Sequence, residues 1–151
     1  MLHCAVVLIL FTAVDFASAC KCADTTNEFK YCSQNFAAKV KVNGVHEDEE
    51  VRGSAPVTIL VYDVEIANVF KANDAYHTVS DHSKIYTPKS SASCGVQLDV
   101  GHEYIIAGQV IQNQLRAHSC SWNEKWEDVS ADDKDKLESD SFDCSEFENI
   151  D

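Results

Sequence analysis

The chain has 151 residues, with 25 acidic against 12 basic side chains and a formal charge of −13. Hydrophobic residues make up 45% and there are only 5 Gly and 2 Pro, which argues against a collagen-like, low-complexity or wholly disordered chain and fits one domain with its own core. The acid excess argues against nucleic acid or anionic lipid as a main partner, because both demand a basic face.

Residues 5–14 (AVVLILFTAV) form an apolar run of ten, well short of the roughly 20 residues a membrane span needs. Ala17-Ser18-Ala19 follows, with small residues where a signal peptidase reads. Together they predict a secretory signal peptide over 1–19, cut after Ala19, and an extracellular location. No other stretch reaches membrane-spanning length. The cut removes Cys4 and Asp15, leaving 132 residues, six Cys and a charge of −12. An odd cysteine count becomes even, and six cysteines in a secreted domain predict three disulfides whose connectivity the spacing leaves open. No Asn-x-Ser/Thr acceptor occurs, so no N-glycan is expected.

The mature chain reads as mostly β. A helical turn is expected near Thr25–Tyr31. Asn35–Asn43 alternates, with Phe36, Ala38, Val40 and Val42 on one face, as a half-buried strand does. Val45–Arg52 (VHEDEEVR) reads as a solvated loop or edge rather than a cation site. Val57–Ile66 is a β-branched run and a central strand. Val96, Leu98 and Val100 alternate with polar residues and predict another strand. Glu103–Ile111 predicts a buried one, and Leu115–Ser119 a short one. Ser130 can cap a helix whose first turn carries Asp132 and Asp133, with Lys134, Lys136 and Leu137 following. The acidic end, Ser145–Asp151, reads as a frayed tail. Many short strands and one late helix predict a closed or nearly closed β-barrel.

No catalytic constellation stands out. The six His, at 3, 46, 77, 82, 102 and 118, make no His-Glu-x-x-His and read as surface or packing residues. No nucleophile elbow, P-loop or dinucleotide fingerprint occurs. Asp132–Asp143 superficially resembles a calcium loop but lacks its Gly and its terminal Glu. The chain is therefore not expected to be an enzyme, nor to carry a cofactor of its own.

The mature N-terminus is distinctive. It would be Cys20, and disulfides at Cys20 and Cys22 would pin the first three residues to the body. A free α-amine titrates near ~7.7–8.0, so an appreciable fraction is neutral at physiological pH and able to ligate zinc. The Cys20 carbonyl oxygen lies one backbone step away, and the two could chelate a metal in a five-membered ring. A catalytic zinc in another protein keeps an open position of this kind.

Several segments resemble one family. They are the start Cys20-Lys21-Cys22 with Cys32 ten residues after Cys22, Ile85–Gly95 (IYTPKSSASCG) running into VQLDVG, Glu103–Gly108 (EYIIAG), the tryptophan-led segment from Trp126 to Lys136, and a closing Cys144. The chain resembles the inhibitory N-terminal domain of the tissue inhibitors of metalloproteinases (TIMP), within the netrin-like domain group, over Cys20–Cys144. The resemblance implies a five-stranded OB-like β-barrel with flanking short helices. It implies the disulfides Cys20–Cys94, Cys22–Cys120 and Cys32–Cys144. It also implies a secreted inhibitor whose Cys20 chelates the zinc of a matrix or disintegrin-type metalloproteinase. Lys21 would enter the specificity pocket; Cys22, Ala23 and Asp24 would run along the cleft; and Ser90, Ser91, Ala92 and Ser93 would pack beside them.

The chain departs from the family pattern in three places. Vertebrate members carry Thr or Ser where this chain has Lys21, and a long ammonium is costly to place in an apolar pocket. The Pro-rich stretch after Cys-x-Cys is replaced by ADTTNEF, which loosens that ridge. The sequence stops seven residues past Cys144, so the second domain of vertebrate members is not expected; a single-domain, invertebrate-type, monomeric member is. A second reading is a non-inhibitory secreted netrin-like module acting on extracellular or host proteins.

Overall fold

The computed structural model describes residues 20–147; the expected signal peptide and residues 148–151 of the tail lie outside them. Six strands form one sheet: β1 (Phe36–Arg52), β2 (Ala55–Ala72), β3 (Lys84–Pro88), β4 (Glu103–Ile111), β5 (Gln114–Arg116) and β6 (Asn123–Lys125). Five of them close a ring in the order β1-β2-β3-β5-β4, because β4 returns to pair with β1 from Phe36↔Gly108 to Lys41↔Glu103. All ring pairings are antiparallel except β3–β5. β6 is appended to β4 over Tyr104–Ile106, on the edge that β5 uses further along. The expected mainly β, OB-like barrel is present.

Alternation along β1 points Phe36, Ala38, Val40 and Val42 into the barrel. There they meet Leu60, Tyr62, Ile85, Tyr104, Ile106 and Leu115. A second core lies outside the ring. Ala37, Ile105 and Ala107 face outward and are covered by Tyr31, Trp122, Val129 and Leu137. That explains the unbroken apolar run in β4: the strand is buried on both faces.

Three helices flank the sheet: α1 (Asn27–Cys32), α2 (Asp74–His77) and α3 (Ala131–Ser139). Thr26 caps α1 by accepting from the Phe29 N–H (3.1 Å), so the helix begins two residues later than the sequence suggests. Ser130 caps α3 as expected, accepting from the Asp133 N–H (3.1 Å). The tail is tied down in part: Phe147 meets Phe29 edge-on at 5.5 Å.

Three expectations are refined. Of the solvated loop or edge expected at Val45–Arg52, the edge holds: it is the exposed distal half of β1, paired residue for residue with Ala55–Tyr62 and with no strand on its other side. The Asn43-Gly44 step is a bulge inside β1, and the turn is made at Gly53-Ser54, where Gly53 takes φ +65°. Val96–Val100 is not a strand. Its amides go to side-chain hydroxyls: Val96 N–H to Thr87 Oγ1 (2.9 Å), Leu98 N–H to Tyr62 Oη (3.0 Å), and Asp99 N–H to Tyr104 Oη (2.9 Å). Val96 and Leu98 are still buried, which is why the alternation is there. The short strand placed at Leu115–Ser119 is β5, Gln114–Arg116, and the chain beyond it turns.

Candidate functional site: a disulfide-clamped N-terminal ridge

Two chain segments far apart in sequence meet at one end of the barrel. The first is Cys20–Asp24. The second follows β3: the Lys89 N–H reaches Thr58 O (3.2 Å), and the chain then makes a single 3-10 turn over Ser91–Ser93. Ser90 Oγ accepts from the Ala92 N–H (3.2 Å), and the Ser90 carbonyl accepts from Ser93 and Gly95 (both 3.0 Å). Cys94 ends the turn in the left-handed region, φ 62° and ψ 31°, an unfavourable place for a side chain. Gly95 is required next to it. A Cβ there would fall on the Pro88 carbonyl and sit 3.0 Å from the Ser90 carbonyl oxygen.

The disulfides join these pieces. Cys20 bonds Cys94 and Cys22 bonds Cys120, each with Cα atoms 5.1 Å apart; Cys32 bonds Cys144 behind them at 5.2 Å. The first two bridges lie side by side, with Cys20 Sγ 3.8 Å from Cys120 Sγ and 3.7 Å from Ser119 Oγ. The Ser119 N–H donates to Cys94 O (2.9 Å), closing the junction from the far side. The His118–Asn123 turn is fixed by its own network. His118 O accepts from Ser121 Oγ and Asn123 Nδ2 (both 2.7 Å), and His118 Nδ1 accepts from the Cys120 N–H (3.2 Å). Sequence reasoning missed the part His118 and Ser119 play here, although they are the two residues before Cys120.

The sulfurs of Cys20, Cys94 and Cys120 lie within 4.8 Å of one another. They are oxidised, and a metal ligand must be a thiolate, so any metal contact here falls to backbone atoms. Cys20 and Cys22 are each bridged to the body, and Lys21 lies between them. Lys21, Ala23 and Asp24 are exposed, as are Ser90, Ser91, Ala92 and Ser93. The structure thus brings the sequence-predicted residues of both segments together.

A groove of about 440 Å³ runs beside the ridge, bordered by Ser93, Cys120, His118, Arg116, Arg52 and Phe29. Arg116 is 9% exposed at its side chain and forks onto Glu50 near the tip of the β1–β2 hairpin, with both bonds 2.8 Å. That fork holds the Glu50 carboxyl below its usual range and locks the hairpin against the barrel end that carries the ridge.

A barrel of this topology, with its N-terminal segment stapled once onto the loop after β3 and once onto the turn after β5, defines a class of fold and site. The model for the tissue inhibitors of metalloproteinases matches residues 18–145, and the chain belongs to that family. The chain is 31% identical over 109 residues to tag-225 of Caenorhabditis elegans, covering 68% of this chain and 66% of that protein. It is 30% identical over 136 residues to metalloproteinase inhibitor 2 of Canis lupus familiaris, covering 86% and 59%. It is 26% identical over 112 residues to metalloproteinase inhibitor 3 of Gallus gallus, covering 74% and 50%. The chain thus spans about half to two thirds of the length of these relatives. Among the described residues no helix is long and apolar enough to cross a membrane.

Proposed function

We propose that this protein is a secreted metalloproteinase inhibitor, not an enzyme, in which residues 1–19 are removed and 20–144 form the inhibitory domain. The Cys20 α-amine and carbonyl bind the catalytic zinc of a matrix or disintegrin-type metalloproteinase in the position its attacking water needs. Lys21 enters the pocket beside the zinc, Cys22–Asp24 follow the cleft, and Ser90–Ser93 buttress them. One observation supports this reading above the rest: adjacent disulfides fix Cys20 to the end of the Ser90–Ser93 loop at Cys94 and Cys22 to the His118–Asn123 turn at Cys120. A wedge ordered before it docks loses little conformational entropy on binding.

The test compares two secreted forms, each confirmed by mass to hold three disulfides. One begins at Cys20, and the other carries one extra Ala before it. The extra residue turns the amine into an amide, so inhibition is expected to fall by at least about a hundredfold, since the amine is one of only two zinc contacts. Equal inhibition by both forms would assign binding to another face. No inhibition by either, with the fold intact, would favour a non-inhibitory netrin-like module.

A further inference from the structure

The ridge carries a cation at its apex in a molecule that is otherwise strongly acidic. Lys21 is exposed and, like Lys30, Lys41, Lys84 and Lys134, joins no ion pair among the described residues; what sets it apart is its place between two bridged cysteines. Its backbone is pinned on both sides, because Cys20 and Cys22 are each tied to the body. The ammonium can therefore move only by rotation within its own side chain. Whatever pocket receives the ridge must receive this ammonium, and Lys21 cannot be withdrawn without breaking the clamp.

An ammonium taken from water into an apolar pocket is penalised heavily unless a carboxylate meets it there. We infer that the target is a metalloproteinase with an acidic specificity pocket, one that cuts peptide chains on the amino side of Lys or Arg. This rests on the placement of Lys21 in the pocket beside the zinc, and it adds the chemical class of the partner. The charge of the whole inhibitor works against this partner, since an acidic body approaches an acidic pocket. Local pairing at the apex then carries the discrimination, and the long-range field, screened at physiological salt, contributes little.

The experiment uses the full chain, secreted with its own leader and verified to begin at Cys20. Inhibition constants are measured against two metalloproteinases, one that cuts before Lys or Arg and one that cuts before Leu. The native protein, Lys21→Leu and the form with an extra N-terminal Ala are compared. The expected result is a preference of about 30-fold or more for the Lys/Arg-directed enzyme, reversed in Lys21→Leu. Lys21 is exposed, so Lys21→Leu is expected to fold, and mass and circular dichroism check that it does. If Lys21→Leu leaves the preference unchanged while the extra Ala abolishes inhibition, the acidic-pocket inference fails and the zinc-chelating ridge stands. If the extra Ala changes nothing, the ridge reading itself fails. If neither enzyme is inhibited by any form, both are overturned.

Discussion

Tyr31 and Lys71 together tie the outer core to the disulfide frame. Tyr31 is buried and its hydroxyl donates to Phe70 O (3.0 Å), with Asp140 Oδ1 at 3.4 Å. Lys71 Nζ donates to the carbonyls of Tyr31 (3.1 Å) and Cys32 (2.6 Å) and so closes the C-terminal end of α1. Burial, and then the Asp140 charge, push the Tyr31 hydroxyl up to about 12. The folded value lies above the ordinary one of 10.0, so the stability it carries is complete below pH 10 and is lost as pH rises through 12. Tyr31→Phe is expected to remove this alkaline component while costing about 0.5–1.5 kcal/mol at neutral pH through the lost bond to Phe70. Urea midpoints followed from pH 7 to 12 check it; identical alkaline slopes in both proteins would refute it.

Among the elements, the β1–β2 hairpin depends most on one pair. Glu50 and Arg116 join residues 66 positions apart, and the Arg116 Nε is buried with no partner of its own. Losing Glu50 would leave a buried guanidinium with Gln114 Oε1 (2.6 Å) as its remaining side-chain acceptor. Glu50→Gln is expected to cost about 1–3 kcal/mol at pH 7. Because the folded carboxyl is held below its usual 4.5, the contribution is present above that value and lost as pH falls through the folded one. The gap between variant and native protein should therefore close in acid, which urea titration at stepped pH reads directly.

The same hairpin marks the boundary of what was legible in the sequence. Phe36–Val42, the β4 run and the Ser130 cap could be read because each rests on local periodicity or local chemistry. Val45–Arg52 could be read only as loop or edge, since its charged face is exposed and the partner that makes it a strand, Ala55–Tyr62, supplies the pattern instead. Val96–Leu98 was misread for the opposite reason: real alternation, but amides satisfied by Tyr62 and Thr87 hydroxyls that no window of sequence places nearby. β6 has three half-buried polar residues and carries no pattern at all. The ridge was legible only through family resemblance, because its pairings span 74 and 98 positions.

On the scale of the whole molecule, the three bridges divide their labour. In the chain-entropy account, loops of this length stabilise by about 4–5 kcal/mol each, without simple additivity. Cys32–Cys144 joins the end of α1 to the chain after α3 and uses no cysteine of the ridge. Replacing both of its cysteines by Ser should lower stability by a few kcal/mol (about 2–5) and leave inhibition intact at temperatures where the protein stays folded. Replacing Cys22 and Cys120 by Ser should lower stability comparably and abolish inhibition as well. Paired thermal melts and inhibition assays separate the two effects; equal loss of inhibition in both would show that the ridge is not held locally.

Beyond Gly44 β1 pairs with β2 alone, while β2 stays in the ring through its β3 pairing at Ile59–Asp63. A strand with unpaired backbone along its outer flank is a template on which another strand can grow. The sequence laid along that flank is His-Glu-Asp-Glu-Glu, with Glu47, Asp48 and Glu49 exposed. Of these carboxylates Glu47 pairs with Lys89 and Glu50 with Arg116, while Asp48 and Glu49 join no ion pair among the described residues, so an identical flank that approaches this open edge meets like charge and is repelled.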